Sequence, residues 1–235
     1  MTVPENLISI ETDLPIWHHV YVVSPLVVIG TKEGDRYDLA TKHQAMPLGH
    51  DNYYGFMCTP KHGTYHNVKR EEGFTVSYLR PSQVLTAGLA SSPRCDDPSN
   101  PKPILDELPT FIGGQIDAPC LQGGYLFLEC KLHQIVDNFG DASLITGKIA
   151  AAYVDEDSLR VYEGDDQRLI FNAPMLAYLA YDRFAQVRDT LTFLELPEEP
   201  KNITASDAEI TKATYQALGG RGLSTRWHTV SVSER

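Results

Sequence analysis

The chain has 235 residues, 42% of them hydrophobic, which is enough apolar material for one core and fits a single domain with insertions over residues 1–235. Thirty-one acidic against twenty basic side chains give a formal net charge of -11; this argues against a general affinity for nucleic acid or an anionic membrane, so any anion site must be local. The first apolar stretch, Val20 to Ile29, contains Pro25 and follows Trp17-His18-His19, so it is neither a signal peptide nor long enough to span a bilayer, and a soluble cytoplasmic protein is expected.

Val20 to Ile29 is rich in β-branched and aromatic residues and reads as a buried strand closed by a turn at Gly30 and Gly34, with a second strand starting near Arg36. Residues 52–58 (NYYGFMC) predict a third strand, and the intervening ATKHQAMPLGHD reads as a loop from its Pro, Gly, His and Asp content. After Thr59-Pro60 the chain turns polar. Thr64 can cap a helix of about two turns, with Gly73 as its stop.

Phe74 to Leu79 predicts a strand and Pro81 to Ala90 a helix, with proline at its start and Val84, Leu85 and Leu89 at helical spacing. Ser91 to Gly124 is proline-rich and carries the pairs Gly113-Gly114 and Gly123-Gly124, so it reads as an irregular excursion over the surface with a short helix near Ile104, Leu105 and Leu108. Tyr125 to Val136 and Ser143 to Val154, joined by Asp137-Asn138-Phe139-Gly140-Asp141, predict long antiparallel strands. A C-terminal helical extension is expected over about 170–235; it includes amphipathic Pro174 to Val187 and a helix from Ser206 to Leu218 with Ser206 and Glu209 as a capping box. Tyr178 and Tyr181 read as packing residues. The sum is a mainly β fold with peripheral helices.

Gly219-Gly220-Arg221-Gly222 follows no strand and opens no βαβ unit, so it reads as a helix stop and not as a dinucleotide fingerprint. The four cysteines, Cys58, Cys95, Cys120 and Cys130, form no C-x-x-C pair and are expected as free thiols, with Cys95 and Cys120 the one pairing worth weighing. His62 and His66 are four apart, but a helix that begins at Thr64 leaves His62 outside it, and no metal site is expected. There is no G-x-S-x-G for a serine hydrolase.

The segment FMCTPKHGTYHNV, residues 56–68, carries the chemistry. A helix N-terminus offers free amides and a partial positive charge; Thr64 adds a hydroxyl, Lys61 and His62 add charge, and Gly63 permits close approach. The residues read either as a solvated turn or as a monophosphate cradle. Convergence with the loop from Ala40 to Ala45 decides between them.

The order of strand, DLATKHQA, strand, CTPKHGTYHNV, helix, GFTVS and late GDASLITGKI, over about Ile16 to Val154, resembles the flavin reductase-like FMN-binding split-barrel family. The resemblance implies a six-stranded Greek-key split barrel, built as a homodimer with FMN near the interface. Members commonly pass electrons from NADH or NADPH through FMN to a flavin or other small redox acceptor. It also implies that Thr41, Lys42, His43, Gln44 and Ala45 lie at the isoalloxazine ring and ribityl chain. Cys58, Thr59, Lys61, His62, Thr64 and Asn67 would lie at the ribityl and phosphate groups. Where relatives often place Arg before His or Lys, this chain has His62-Gly63, which moves the lasting positive charge to Lys61. Where relatives that use nicotinamide often have Gly-Asp-His, it has Gly140-Asp141-Ala142; the alternative is an FMN-binding electron carrier reduced by a partner protein.

Overall fold

The exposed run Val20 to Val23 joins no strand, and pairing begins at β1 (Ser24–Pro25) and β2 (Val27–Glu33). The computed structural model describes residues 4, 6–92, 100, 102–160, 166–180 and 183–190. The chain divides into two units, residues 1–189 and 190–235, and every element below lies in the first. The helix expected from Ser206 to Leu218, with its stop, falls outside the described residues.

After β2 come β3 (Arg36–Lys42), β4 (Ala45–Leu48), β5 (Tyr53–Cys58), α1 (Gly63–Glu71), β6 (Gly73–Tyr78) and α2 (Val84–Ala90). The remaining elements are β7 (Thr110–Ile112), β8 (Pro119–Leu121), β9 (Leu126–Phe139), β10 (Ala142–Val154), α3 (Asp166–Asn172), β11 (Met175–Ala180) and β12 (Arg183–Val187). The main sheet is antiparallel throughout, in the order β3-β2-β6-β9-β10-β5-β4.

Its two edge strands, β3 and β4, are consecutive in the chain and joined only by His43 and Gln44. Laid flat, seven strands would separate the edges by about 29 Å. The three Cα steps from Lys42 to Ala45 can cover at most about 11 Å. The sheet therefore curls until its edges meet, which makes a barrel left split between β3 and β4. The segment expected as a loop is thus largely strand, and this is why the sheet has seven strands where the resemblance implies six. Pro47 is tolerated because β4 is an edge.

Alternation along β2 feeds two clusters. Val27 and Ile29 pack with Tyr54, Phe56, Phe74, Val76, Cys130 and Ile145 inside the curl, where Tyr65 and Val68 of α1 join them. Val28 points the other way, to Leu39, Leu79, Ala87, Ala90 and Leu121 under α2. β2 is buried on both faces, which accounts for its unbroken apolar start.

The N-cap of α1 comes two residues earlier than expected: His62 holds that position and Thr64 is the second helical residue, 2% exposed. Thr64 is drawn inward because Thr64, Tyr65 and Val68 form the helix's buried face. The helix stops at Glu72, which takes a left-handed conformation (φ 54°), and not at Gly73. Gly73 instead opens β6, where a Cβ would lie 3.0 Å from Ile116.

The excursion is less superficial than its composition suggests. β7 and β8 form a hairpin, and Cys120 and Leu121 are fully buried against the main sheet. The Thr75 hydroxyl donates to the Pro119 carbonyl, and the Leu121 amide donates to Ser77 Oγ at 3.0 Å. The approach is close enough that a Cβ on Gly30 would sit 1.8 Å from the Pro119 oxygen. Gly30 is therefore a mid-strand contact and not a turn. The fully buried Glu129 carboxylate anchors the neighbouring loop by accepting from the amides of Gly114 (3.0 Å), Gln115 (2.6 Å) and Ile116 (2.6 Å).

In the extension expected to be helical, α3 is a helix but Met175–Ala180 and Arg183–Val187 pair as antiparallel strands, the β11–β12 hairpin. β1 pairs with β11, so MLAYLA has a strand partner and extends instead of coiling. Cys58, Cys120 and Cys130 are free and buried; Cys95 lies outside the described residues. No helix among the described residues is long and apolar enough to cross a membrane.

Two substitutions test this packing in opposite directions under chemical denaturation. Gly30→Ala should lower stability by about 3 kcal/mol, because the Pro119 backbone must move to admit the methyl group. Glu72→Gly should raise it by about 1 kcal/mol, because glycine adopts a left-handed conformation without the Cβ clash.

Candidate functional site

Cross-strand partners share a face, so the pairs Val27↔Lys42, Ile29↔Ala40 and Thr31↔Asp38 direct Lys42, Ala40 and Asp38 toward the interior side, where α1 packs. Thr41 and Leu39 face α2. Next to the opposite edge strand β4, Tyr54, Phe56 and Cys58 of β5 point inward by the same alternation. The closing turn joins these edges: Ala45 pairs with Phe56, and the Met57 amide donates to the Gln44 carbonyl at 2.9 Å. Lys42, Cys58 and the start of α1 are thereby brought to one place.

The connection from β5 to α1 is a tight turn. The His62 amide donates to the Thr59 carbonyl at 3.0 Å, and the Tyr65 amide donates to the His62 carbonyl at 3.1 Å. No side chain caps α1, so the amides of Gly63 and Thr64 are left without a side-chain partner at the positive end of the helix dipole. The opposite flank of the helix is tied down by the Tyr65 hydroxyl, which donates to Asp137 at 3.2 Å, and Ser143 donates to the same carboxylate oxygen at 2.6 Å.

The electrostatics single out Lys42. Burial pushes the Cys58 thiol up from its ordinary value, and Lys42 partly opposes that shift. Partial burial lowers the His62 imidazole, and Lys42 and Lys102 lower it further against the pull of Asp38. Partial burial and then Lys42 lower His43 as well. Both shifts disfavour the charged imidazole, so the lasting positive charge comes from lysines. The donor set (uncapped helix amides, a hydroxyl and lysine ammonium groups) suits a phosphate.

Not every residue expected here offers a free side chain. The Thr41 hydroxyl donates to the Ala87 carbonyl and its amide donates to Ser91 Oγ at 3.2 Å. Asn67, 1% exposed, donates to Thr31 Oγ1 at 3.1 Å and accepts from Arg70 at 3.0 Å, which ties α1 to β2. Ala45 is buried in the core cluster, Gln44 and Lys61 are exposed, Thr59 is half-buried, and His43 packs against Tyr178 with ring centroids 4.8 Å apart.

Two participants went unnoticed in the sequence. Lys102, from the excursion, places its ammonium 2.8 Å from Asp38 Oδ1 and 2.9 Å from the Leu39 carbonyl; the two side chains are 8% and 3% exposed. Asp38 was detectable, since strict alternation in RYDLATK turns it to the same side as Lys42. Lys102 was not, because nothing in a proline-rich segment specifies where it folds back. Among the described residues no group of three His, Cys, Asp or Glu side chains is arranged to hold a metal ion.

Residues 19–178 match the family model of the flavin reductase like domain. The fold is similar to that of an FMN-binding protein from Thermus thermophilus with bound p-hydroxybenzaldehyde (TM-score 0.63, 20% identity, covering 79% of this chain and 99% of that one). It is also similar to flavoredoxin from Methanosarcina acetivorans (0.62, 17% identity, 80% and 94%) and to an NADH:FAD oxidoreductase from Streptomyces globisporus (0.60, 15% identity, 77% and 96%). No curated protein sequence matches the chain.

The lowered imidazoles predict a specific pH response. A group whose folded pKa lies below its unfolded value contributes stability above the unfolded pKa, and that stability is lost as the pH falls through the folded one. For His43 and His62 the loss begins below about pH 6.5. Asp117 and Asp155 are also lowered, by Lys32 and Arg80 respectively, and their contributions fade only at more acid pH. Urea midpoints measured from pH 7.5 to pH 5 should fall for the wild type and change less for the double variant His43→Gln/His62→Gln.

Proposed function

The chain belongs to the flavin reductase-like family, and from that premise we propose that it is an FMN-binding oxidoreductase that takes electrons from NADH or NADPH and delivers them to a flavin or another small acceptor. It works in the cytoplasm as a homodimer with FMN near the subunit interface. The observation that carries this reading is the meeting of two segments at the closed edge of the barrel: the turn Lys42-His43-Gln44-Ala45 lies beside Cys58 and the uncapped start of α1.

In this reading the amides of Gly63 and Thr64, the Thr64 hydroxyl and Lys61 hold the phosphate, with Thr59 and His62 beside it. Lys42, His43, Gln44 and the backbone at Ala45 meet the ribityl chain and ring, and Cys58 lines the floor. Thr41 and Asn67 shape the site by fixing β3 and α1, since their side chains are engaged elsewhere. FMN, when bound, supplies the hydride and electron chemistry, and the protein supplies position and charge. Lys42, on the same face as the α1 start, places a positive charge where a reduced, anionic ring would need it.

The second reading, an FMN-binding electron carrier reduced by a protein, is favoured by Ala142. It sits at the Gly140-Asp141 turn between β9 and β10, where nicotinamide-using relatives often have histidine.

Titration with FMN and with riboflavin, which lacks the phosphate, tests the cradle. FMN should bind about a hundredfold more tightly, the worth of two charge-assisted hydrogen bonds, and Thr64→Val should shrink that ratio. Equal affinities would remove the phosphate assignment. Lys42→Met should lower the potential of the bound flavin by about 30 mV; an unchanged potential would count against its role. Rapid mixing of the flavin-loaded protein with NADH and NADPH separates the two readings, because a reductase bleaches with at least one donor and a carrier with neither.

A further inference from the structure

β11 lies outside the main sheet, yet it is held against the turn that closes the barrel. Ser24 of β1 pairs with Tyr178 and Pro25 with Ala177, and two residues after Pro25 the chain enters β2 at Val27, which pairs with Lys42. This chain of registers sets Tyr178 beside His43, at a ring-centroid distance of 4.8 Å and an interplanar angle of 32°. On the other side of the hairpin, Phe184 of β12 pairs with Tyr178, and Leu176 and Ala177 are buried. The Tyr178 ring is therefore carried on a strand paired on both sides.

His43 has no comparable support. It is exposed and is one of only two residues in the connection between β3 and β4, and the backbone bond at that turn is made by the Gln44 carbonyl. A two-residue link between sheet edges leaves the direction of an exposed ring to whatever packs against it, and an offset aromatic contact supplies a modest but directional hold.

We propose that Tyr178 is a positioning residue for the cofactor: by stacking on His43 it sets the orientation of the closing turn, and the β11–β12 hairpin is thereby a wall of the FMN site. The inference rests on the FMN reading above. It assigns a function to the hairpin that neither the barrel architecture nor the phosphate cradle requires. Tyr178 acts through His43 and need not touch the flavin.

The test is an FMN titration, followed by flavin fluorescence, of the full-length wild type, Tyr178→Leu, Tyr178→Phe, His43→Leu and the double variant Tyr178→Leu/His43→Leu. Tyr178→Leu should weaken binding about three- to tenfold, Tyr178→Phe should retain wild-type affinity, and the double variant should be no weaker than the weaker single. Wild-type affinity in Tyr178→Leu, or losses that multiply in the double variant, would overturn the inference while leaving the FMN reading intact. A wild-type chain that binds no FMN would remove both. Proton resonances of the His43 ring in the flavin-free protein give a readout that does not depend on cofactor. They should carry an aromatic ring-current shift in the wild type and Tyr178→Phe and lose it in Tyr178→Leu; resonances unmoved by Tyr178→Leu would overturn the stacking itself.

Discussion

The link of two residues between β3 and β4 is the constraint on which the rest of this structure depends. Strands at opposite edges of a seven-stranded sheet cannot be joined by only two residues unless the sheet curls, and the curl creates an inside and an outside. Once the sheet closes, period-two alternation sends Lys42 of one edge strand and Cys58, on the strand beside the other edge, inward. The helix that follows β5 has its start at the same rim. The site is thus a consequence of closure, and its residues do not need to be near one another in sequence.

Closure also explains how an acidic chain can present a place suited to an anion. The net charge of -11 belongs to the sequence as a whole, whereas the rim gathers Lys42, the start of α1 and, behind them, the buried pair Asp38–Lys102. Lys102 is held by the ion contact with Asp38 and by the Leu39 carbonyl, so the pair ties the excursion to an edge strand more than it adds free charge. With the charged forms of His43 and His62 disfavoured by partial burial and neighbouring lysines, the positive potential at the rim belongs to lysine and to the helix dipole. This suits a permanently anionic ligand better than a pH-gated one.

Much of the fold was legible because the relevant signals are local. The strands at 36–42, 53–58, 73–78, 126–139 and 142–154 and the helix from 84 announce themselves by β-branched content, by alternation or by proline at the first turn. The misreadings share a cause: tertiary contact outweighed local chemistry. Gly30 reads as a turn residue but is small because Pro119 passes over it. Gly73 reads as a helix stop but is small because Ile116 lies against it. Pro47 reads as a loop residue but sits in an edge strand. Met175–Ala180 extends because β1 supplies a partner.

The sequence by itself determined the long strands of the main sheet, a helix start near Thr64, and the ordered motifs that mark the family. These follow from residue preferences acting over a few positions. Only the tertiary structure decided that residues 40–45 meet the start of α1, that Thr41 and Asn67 turn their side chains to neighbouring elements, and that Lys102 and Tyr178 arrive at the same rim. Those outcomes depend on which strands pair and where the sheet closes. Such long-range register leaves no trace in the composition of any one segment.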